Sequence, residues 1–305
     1  MRLADDARGW RQAAELLARG KLVALPTETV YGLAGDARQP TAIRAIYRLK
    51  GRPESNPLIV HLSAPGQAGD HGVMGPHARA LAGRFWPGPL TLVVERRRDG
   101  LGAGLAEGAG AGLATVAMRC PDVNWTAHIP GPLVMPSANL SGHVSPTTPA
   151  HVWEDFPDLP VVDAGPCPGG IESTVVRVDG RGATMLRTGA VTAEAIGALV
   201  PLVPLADGER AGSPGLLLRH YAPAKPLRLE ARARRTGEWW IGFGEVAGDA
   251  NLSPVGDLKE AARNLYAALR LADRKTGDAI AVAPVPEVGL GVAINDRLRR
   301  AAKGR

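Results

Sequence analysis

The chain is nearly devoid of cysteine, with Cys120 and Cys167 the only two. Two thiols cannot build a disulfide framework or a cysteine-rich zinc site, and both read as small, half-buried apolar side chains. No stretch approaches the roughly 20 unbroken apolar residues that a membrane helix requires. The opening MRLADDARGW lacks the apolar core of a signal peptide, so a cytoplasmic location is expected. GxxxxGK[ST] is absent, which excludes a P-loop nucleotide enzyme. Gly242, Gly244 and Gly248 follow an apolar run, but their spacing departs from the dinucleotide fingerprint, which argues against NAD. The seven histidines are scattered without HxH or HxxxH spacing, which argues against a zinc enzyme. Lysine is scarce as well. Six lysines stand beside 30 arginines, and the net charge of +6 suits a polyanionic partner without requiring one.

What is present is an ordinary globular composition, 45% hydrophobic and 22% charged, over 305 residues, enough for two domains. Residues 5–19 read as an amphipathic helix that Asp5 or Asp6 can cap, with Trp10, Ala13, Ala14 and Leu17 on one face. KLVAL (21–25), Leu58–Leu62, LTLVVE (90–95) and PLVMPS (132–137) read as strands, and 41–49 and 76–86 as helices. Strands alternating with helices imply an α/β layer architecture. STVVRV and ATMLRT flank Asp179-Gly180-Arg181-Gly182 as a hairpin, and a helix over 192–199 closes the unit. The Gly/Ala-rich 100–114 reads as a mobile loop. Residues 206–226 have turn-forming composition without periodicity and are expected to be a linker. A smaller α/β unit follows: WWIGFG as strand, 257–273 as helix, AIAVAPV as strand and AINDRLRRAAKG as the last helix.

Four segments place polar residues where apolar strands end: PTETVYGL (26–33), KGRPESNPLIVHL (50–62), PSANLSG (136–142) and IESTVV (171–176). Ligands of open α/β sheets bind outside the carboxyl ends of strands, so these loops are candidates to converge. Lys50 and Arg52 either compensate a helix dipole or stand beside phosphates, where an arginine fork and a lysine point charge together neutralise a triphosphate without a P-loop. Ser137, Asn139 and Ser141 either stabilise turns or meet a ligand. His61 is either a satisfied core histidine or a site residue.

Taken in order, PTETVYGLAGDA, KGRPESNPLIVHL, FWPGPLTLVV, TVAMRCP, PSANLSG, ESTVV and LRTGA resemble the YrdC-like threonylcarbamoyl-AMP synthases. SPGLLLRHYAP and NLYAALR…GLGVAINDRLRRAA resemble the linker and second domain of the longer members. The resemblance implies a YrdC-like twisted mixed sheet with flanking helices in a catalytic domain over 1–205. A linker over 206–226 would cover the active site, and a smaller carboxyl-terminal α/β, Rossmann-like domain would fill 227–305. It implies an L-threonylcarbamoyladenylate synthase. Threonine captures carbon dioxide or bicarbonate, and the resulting carbamate attacks the α-phosphate of ATP with release of pyrophosphate. The adenylate then serves threonylcarbamoyladenosine formation in tRNA. By the same resemblance Lys50 and Arg52 are catalytic. Arg52, Asn56, Thr115, Ser137, Asn139, Arg187 and Tyr221 contact ATP, whereas Thr29, His61, Arg119 and Ser173 hold threonine. Magnesium arrives with the nucleotide, and the protein supplies no metal site of its own. Ser213-Pro214-Gly215 and His220-Tyr221 resemble a linker that folds over the nucleotide.

Residues 122–131 depart from the helix usual between the TVAMR and PSAN segments, and Arg219 stands where lysine is frequent. The basic tail of Arg297, Arg299, Arg300, Lys303 and Arg305 is either a solvated helix face or a surface for tRNA or a partner such as the downstream transferase complex. Two other functions compete. One is a basic module that grips double-stranded RNA without chemistry. The other is a carbamoyl-transfer enzyme of hydrogenase maturation, whose zinc-binding cysteine clusters this chain lacks.

Overall fold

A computed structural model describes residues 1–97, 104–205 and 220–304. The chain begins with β1 (Arg2–Ala4), α1 (Ala7–Ala18), β2 (Val23–Leu25) and β3 (Gly32–Asp36). It continues through α2 (Pro40–Lys50), β4 (Ile59–His61), α3 (Ala68–His71), α4 (Pro76–Phe85), β5 (Leu90–Glu95), β6 (Thr115–Arg119) and β7 (Leu133–Val134). Then come α5 (Pro149–Asp155), β8 (Val161–Asp163), β9 (Thr174–Asp179), β10 (Gly182–Arg187) and α6 (Ala193–Gly197). These strands form one mixed ten-stranded sheet in the order β1-β8-β2-β3-β7-β4-β6-β5-β9-β10. β11 (Leu227–Arg228), β12 (Glu238–Gly242), α7 (Leu258–Arg274) and α8 (Leu290–Ala301) belong to a second unit, with β13 (Ala250–Asn251) and β14 (Ala279–Val282). Its four strands are all parallel, in the order β11-β14-β12-β13.

Local chemistry sets the element ends. Asp6, not Asp5, caps α1, its carboxylate accepting from the backbone of Arg8 and Gly9, while Asp5 takes the indole N–H of Trp10. Gly51, at φ 60°, closes α2 in the left-handed region that a side chain disfavours. The segment read only as a motif, 32–36, is a strand paired antiparallel to β2, and the anticipated strand over 132–137 shortens to Leu133–Val134. Within 100–114, read as a loop, a 3₁₀ turn spans Glu107–Gly110 and buries Ala109; residues 100–103 lie outside the described residues. Residues 122–131 hold another 3₁₀ turn, Asn124–Ala127, anchored by the fully buried Trp125.

Alternation along the strands gives the large sheet two unlike faces. Val60, Leu92, Val94, Val116, Met118 and Val176 join Ile43 and Ile46 of α2 and Leu81 of α4 in the main core. Each such aliphatic side chain contributes about 1.5–3 kcal/mol on burial. The intervening residues Ile59, Val93, Ala117, Val175 and Leu186 form a separate small apolar floor, against which Leu205 packs. That second face carries the polar residues described next.

Part of the expected linker, 206–219, including Ser213, Pro214, Gly215 and Arg219, lies outside the described residues. His220 and Tyr221 are buried, and the Ala222 amide donates to Gly142 O at 2.9 Å. The basic tail divides: Lys303 is exposed, Arg305 lies outside the described residues, and the others have partners. Arg297 is fully buried, because it sits on the apolar stripe of α8 with Ile294, Leu298 and Ala301, while Arg299 pairs with Glu287 and Arg300 with Asp296.

Candidate active site

A cavity of about 60 Å³ opens on the second face of the large sheet. Parallel pairing sets His61 of β4 beside Arg119 of β6, and the β5–β9 register brings the turn before β9 to the same edge. Thr29, Arg52, His61, Arg119, Ser137, Ser173, Arg187 and Tyr221 all line it, and so do Glu172 and His220.

At one end the guanidinium of Arg119 is aimed by three groups. Nη1 donates to Thr29 Oγ1 at 3.0 Å, Nε to Gly88 O at 3.3 Å, and Nη2 lies 2.7 Å from Glu28 Oε2. Thr29 is itself held by the hydroxyl of Thr27 at 2.8 Å. His61 Nδ1 lies 3.1 Å from Ile59 O. Burial, reinforced by Arg119, lowers its pKa to about 3, so the imidazole is neutral. With Nδ1–H donating to that carbonyl, Nε2 is left as an acceptor. Ser173 bonds Thr91 at 2.8 Å and accepts from Arg187.

Cations dominate the other end. Lys50 is buried, and its ammonium donates to Ser137 O at 2.6 Å and Asn139 O at 2.5 Å. Burial first, then Arg52, holds its pKa well below the ordinary lysine value. Arg52 donates through Nε to Asn56 O at 3.1 Å and through Nη2 to Asn56 Oδ1 at 2.5 Å and Pro57 O at 2.9 Å. Burial lowers it to about 10, leaving it charged at neutral pH. Arg187 is likewise depressed by burial. Three arginines, Arg52, Arg119 and Arg187, thus line a space whose two nearby carboxylates are already engaged, Glu28 with Arg119 and Glu172 with Arg297. Such an excess of fixed positive charge suits a ligand bearing phosphate and carboxylate together.

Four anticipated residues stand outside the cavity lining. Lys50 lies behind Ser137, and Asn56 orients Arg52. Asn139 is buried, with its amide nitrogen donating to Leu140 O and His143 O. Thr115 is farther off. It shares the second face with Ala117 and Arg119 but lies at the opposite end of β6, lining a separate cavity with Val93 and Arg177. The floor between the two cavities is the apolar set around Ala117.

Glu172, Tyr266 and Arg297 escaped the sequence reading. Glu172 Oε1 accepts from Ser145 Oγ at 2.5 Å, and Oε2 accepts from Tyr266 OH at 2.8 Å and Arg297 Nε at 3.0 Å. Although burial opposes ionisation, Arg297 and then Arg187 bring its pKa down to about 2. The available signal was helical period: a charged residue at 297, amid Ile294, Leu298 and Ala301, faces inward.

A family profile described as "Telomere recombination" matches residues 15–189, and one described as "Threonylcarbamoyl-AMP synthase, C-terminal domain" matches 191–303. The threonylcarbamoyl-AMP synthase of Bacillus subtilis is 37% identical, covering 96% of this chain and 93% of its own. That of Pyrococcus abyssi is 36% identical with the same coverage, 96% and 93%. The crystal structure of P. abyssi Sua5 complexed with L-threonine superposes with a TM-score of 0.87 at 33% identity, over 99% of this chain and 97% of that one. Escherichia coli YciO, at 16% identity and a TM-score of 0.56, covers 64% of this chain and 97% of its own and shares the fold.

Proposed function

The chain belongs to the threonylcarbamoyl-AMP synthase family, and from that premise we propose that it makes L-threonylcarbamoyladenylate and pyrophosphate from ATP, L-threonine and bicarbonate for tRNA modification. The observation that carries the reading is one cavity with a carboxylate-type site at Arg119 and a phosphate-type site at Arg52 and Arg187, backed by Lys50 behind Ser137. Threonine is assigned to Thr29, His61, Arg119 and Ser173, with its carboxylate on the Arg119 fork. The neutral His61 Nε2 accepts a hydrogen bond from the amine or hydroxyl of the substrate.

The threonine nitrogen forms a bond to carbon of carbon dioxide, or of bicarbonate with loss of water, and gives up a proton to leave a carbamate. A carbamate oxygen then attacks the α-phosphorus of ATP, the bond to the bridging oxygen breaks, and pyrophosphate leaves with that electron pair. In-line transfer of this kind depends on positioning and charge stabilisation, the work assigned here to Arg52 and Arg187, with Lys50 fixing the Ser137–Asn139 turn. Asn56 serves by aiming Arg52, and Asn139 by shaping the turn. Thr115 reaches a nucleotide only if the ligand extends along the Ala117 floor. Magnesium accompanying ATP would add charge neutralisation at the phosphates; Glu172, the one carboxylate among the described lining residues, is already engaged by Arg297.

We assign residues 1–205 to catalysis, 206–226 to a covering linker and 227–305 to the second domain. A cavity near 60 Å³ is far smaller than the roughly 300–1,000 Å³ of small-molecule sites. ATP therefore enters by displacing His220 and Tyr221, which close over the substrates afterwards and exclude water from the anhydride. Pyrophosphate release measured with threonine and bicarbonate each omitted tests the reading. Dependence on both sustains it, and turnover of ATP without threonine overturns it.

A further inference from the structure

The second unit reaches the cavity through a buried cluster around Glu172, beside ion pairs from Arg270 to Glu154 and Asp155. Its helix α7 passes so close to the Gly169–Gly170 backbone that a Cβ at Gly170 would lie 2.3 Å from Ala262 O and from Arg263 Cα. Gly170 also stands at φ 76°, so both space and backbone require glycine there. Two residues later Glu172 enters the cavity lining, and the donors to its Oε2 come from α7 (Tyr266) and α8 (Arg297). The same pair brackets Tyr221. The Arg297 guanidinium lies 5.4 Å from the centroid of the Tyr221 ring, and the Tyr266 ring stacks at 5.7 Å with planes 28° apart. Tyr221 itself adopts φ 64°, a conformation that a tyrosine keeps only where its surroundings hold it.

We propose that Tyr266 and Arg297 are positioning residues of the nucleotide site, fixing Glu172 and forming the seat on which Tyr221 closes. The second unit thereby completes the first instead of merely following it. Neither residue lines the cavity, so both act through Glu172 and Tyr221. A desolvated guanidinium over an aromatic face attracts it strongly, and the ring of Tyr266 adds a stacking contact to the same ring. Glu172, together with Asp296 on Nη1 at 2.9 Å, supplies the counter-charge that lets Arg297 stay buried at that spot. The assignment of the seat to nucleotide binding rests on the synthase reading; the seat itself does not.

The test compares the full-length wild type with Tyr266→Phe, which deletes one hydroxyl, and with the double variant Glu172→Gln/Arg297→Met, which removes both partners of the buried ion pair together. Amide hydrogen exchange at Ala222, whose N–H is bonded to Gly142 O, reports whether the Tyr221 segment is docked. The double variant is expected to retain cooperative unfolding, to exchange at Ala222 at least tenfold faster, and to show an ATP KM raised about tenfold, with threonine KM within about twofold of wild type. Tyr266→Phe is expected to shift both readouts in the same direction by less. Unchanged exchange at Ala222 in the double variant overturns the proposal, as does an equal rise in both KM values. Should the wild type release no pyrophosphate, the synthase reading falls, while exchange at Ala222 still decides whether the seat exists.

Discussion

Arg187 grips Ser173 twice, donating through Nε to its carbonyl at 3.0 Å and through Nη2 to its hydroxyl at 3.1 Å. The end of β10 and the turn before β9 are therefore one bracket. A residue assigned to the nucleotide and one assigned to threonine cannot move independently. Arg187→Lys keeps the charge but cannot reproduce the fork. We expect a loss of about 1.5–3 kcal/mol in transition-state stabilisation. Steady-state kinetics should show kcat/KM falling for both substrates, and a loss confined to ATP would contradict the bracket.

Lys50→Met should leave the fold cooperative and depress kcat. The methionine fills the channel beneath Ser137, but no ammonium remains to hold the two carbonyls. An effect of about 2.7–4 kcal/mol is expected if Lys50 keeps phosphate-binding groups aligned at the transition state. Single-turnover pyrophosphate release measures it.

Arg119→Lys should raise the threonine KM roughly 10- to 100-fold and leave the ATP KM nearly unchanged. One point charge replaces a fork already oriented by Thr29 and Gly88, at a cost of about 1.5–3 kcal/mol for a charged hydrogen bond. Calorimetric titration with threonine alone gives the number directly.

Tyr221→Ala should shorten the lifetime of the adenylate. The aromatic lid is buried over the cavity, and its removal admits water to a hydrolysable anhydride. Chromatographic decay of the product on enzyme, followed in the two proteins side by side, tests this, and equal decay rates would remove the lid from the mechanism.

Acid should destabilise the protein well before its carboxylates titrate. His61 and His220 are each lowered to about 3, chiefly by burial, from an ordinary value near 6.5. Below pH 6.5 the unfolded chain takes up protons that the folded chain refuses. Stability is therefore complete above that pH and declines toward pH 3, by at most about 1.4 kcal/mol per pH unit for each group. Glu172, lowered to about 2, adds a further loss as pH falls below 4.5. Urea unfolding at pH 7 and pH 5 should show a smaller difference in His61→Gln, by roughly 1–2 kcal/mol.

Much of the fold was legible because helices advertise themselves locally. The apolar periods over 257–273 and 5–19 recur in α7 and α1, and one of the two aspartates offered as a cap, Asp6, caps α1. Strand pairing was not legible. β1 and β8 have three residues each and find one another across most of the first unit, a choice that tertiary packing makes. Within the site, polar residues at apolar strand ends pointed to the segments that hold Thr29, His61 and Ser173, while Arg119 came only from the family resemblance. What they could not reveal was which surfaces meet across the two units. Glu172 looked like a bystander of Ser173, and Arg297 like one more charge in a basic tail, until helix α8 turned it inward.

The pairing of Arg2 with Val161 also bears on how the chain comes to be folded at all. Edge strand β1 has no partner until about 160 residues have left the ribosome, roughly 8–30 s of synthesis at 5–20 residues per second. Throughout that interval Trp10 and Leu17, which end up almost entirely shielded, have only part of their eventual surroundings. The nascent amino terminus is thus the stretch most in need of a chaperone. A lesion that delays β8 should show itself as aggregation during expression, in a protein that is stable once made.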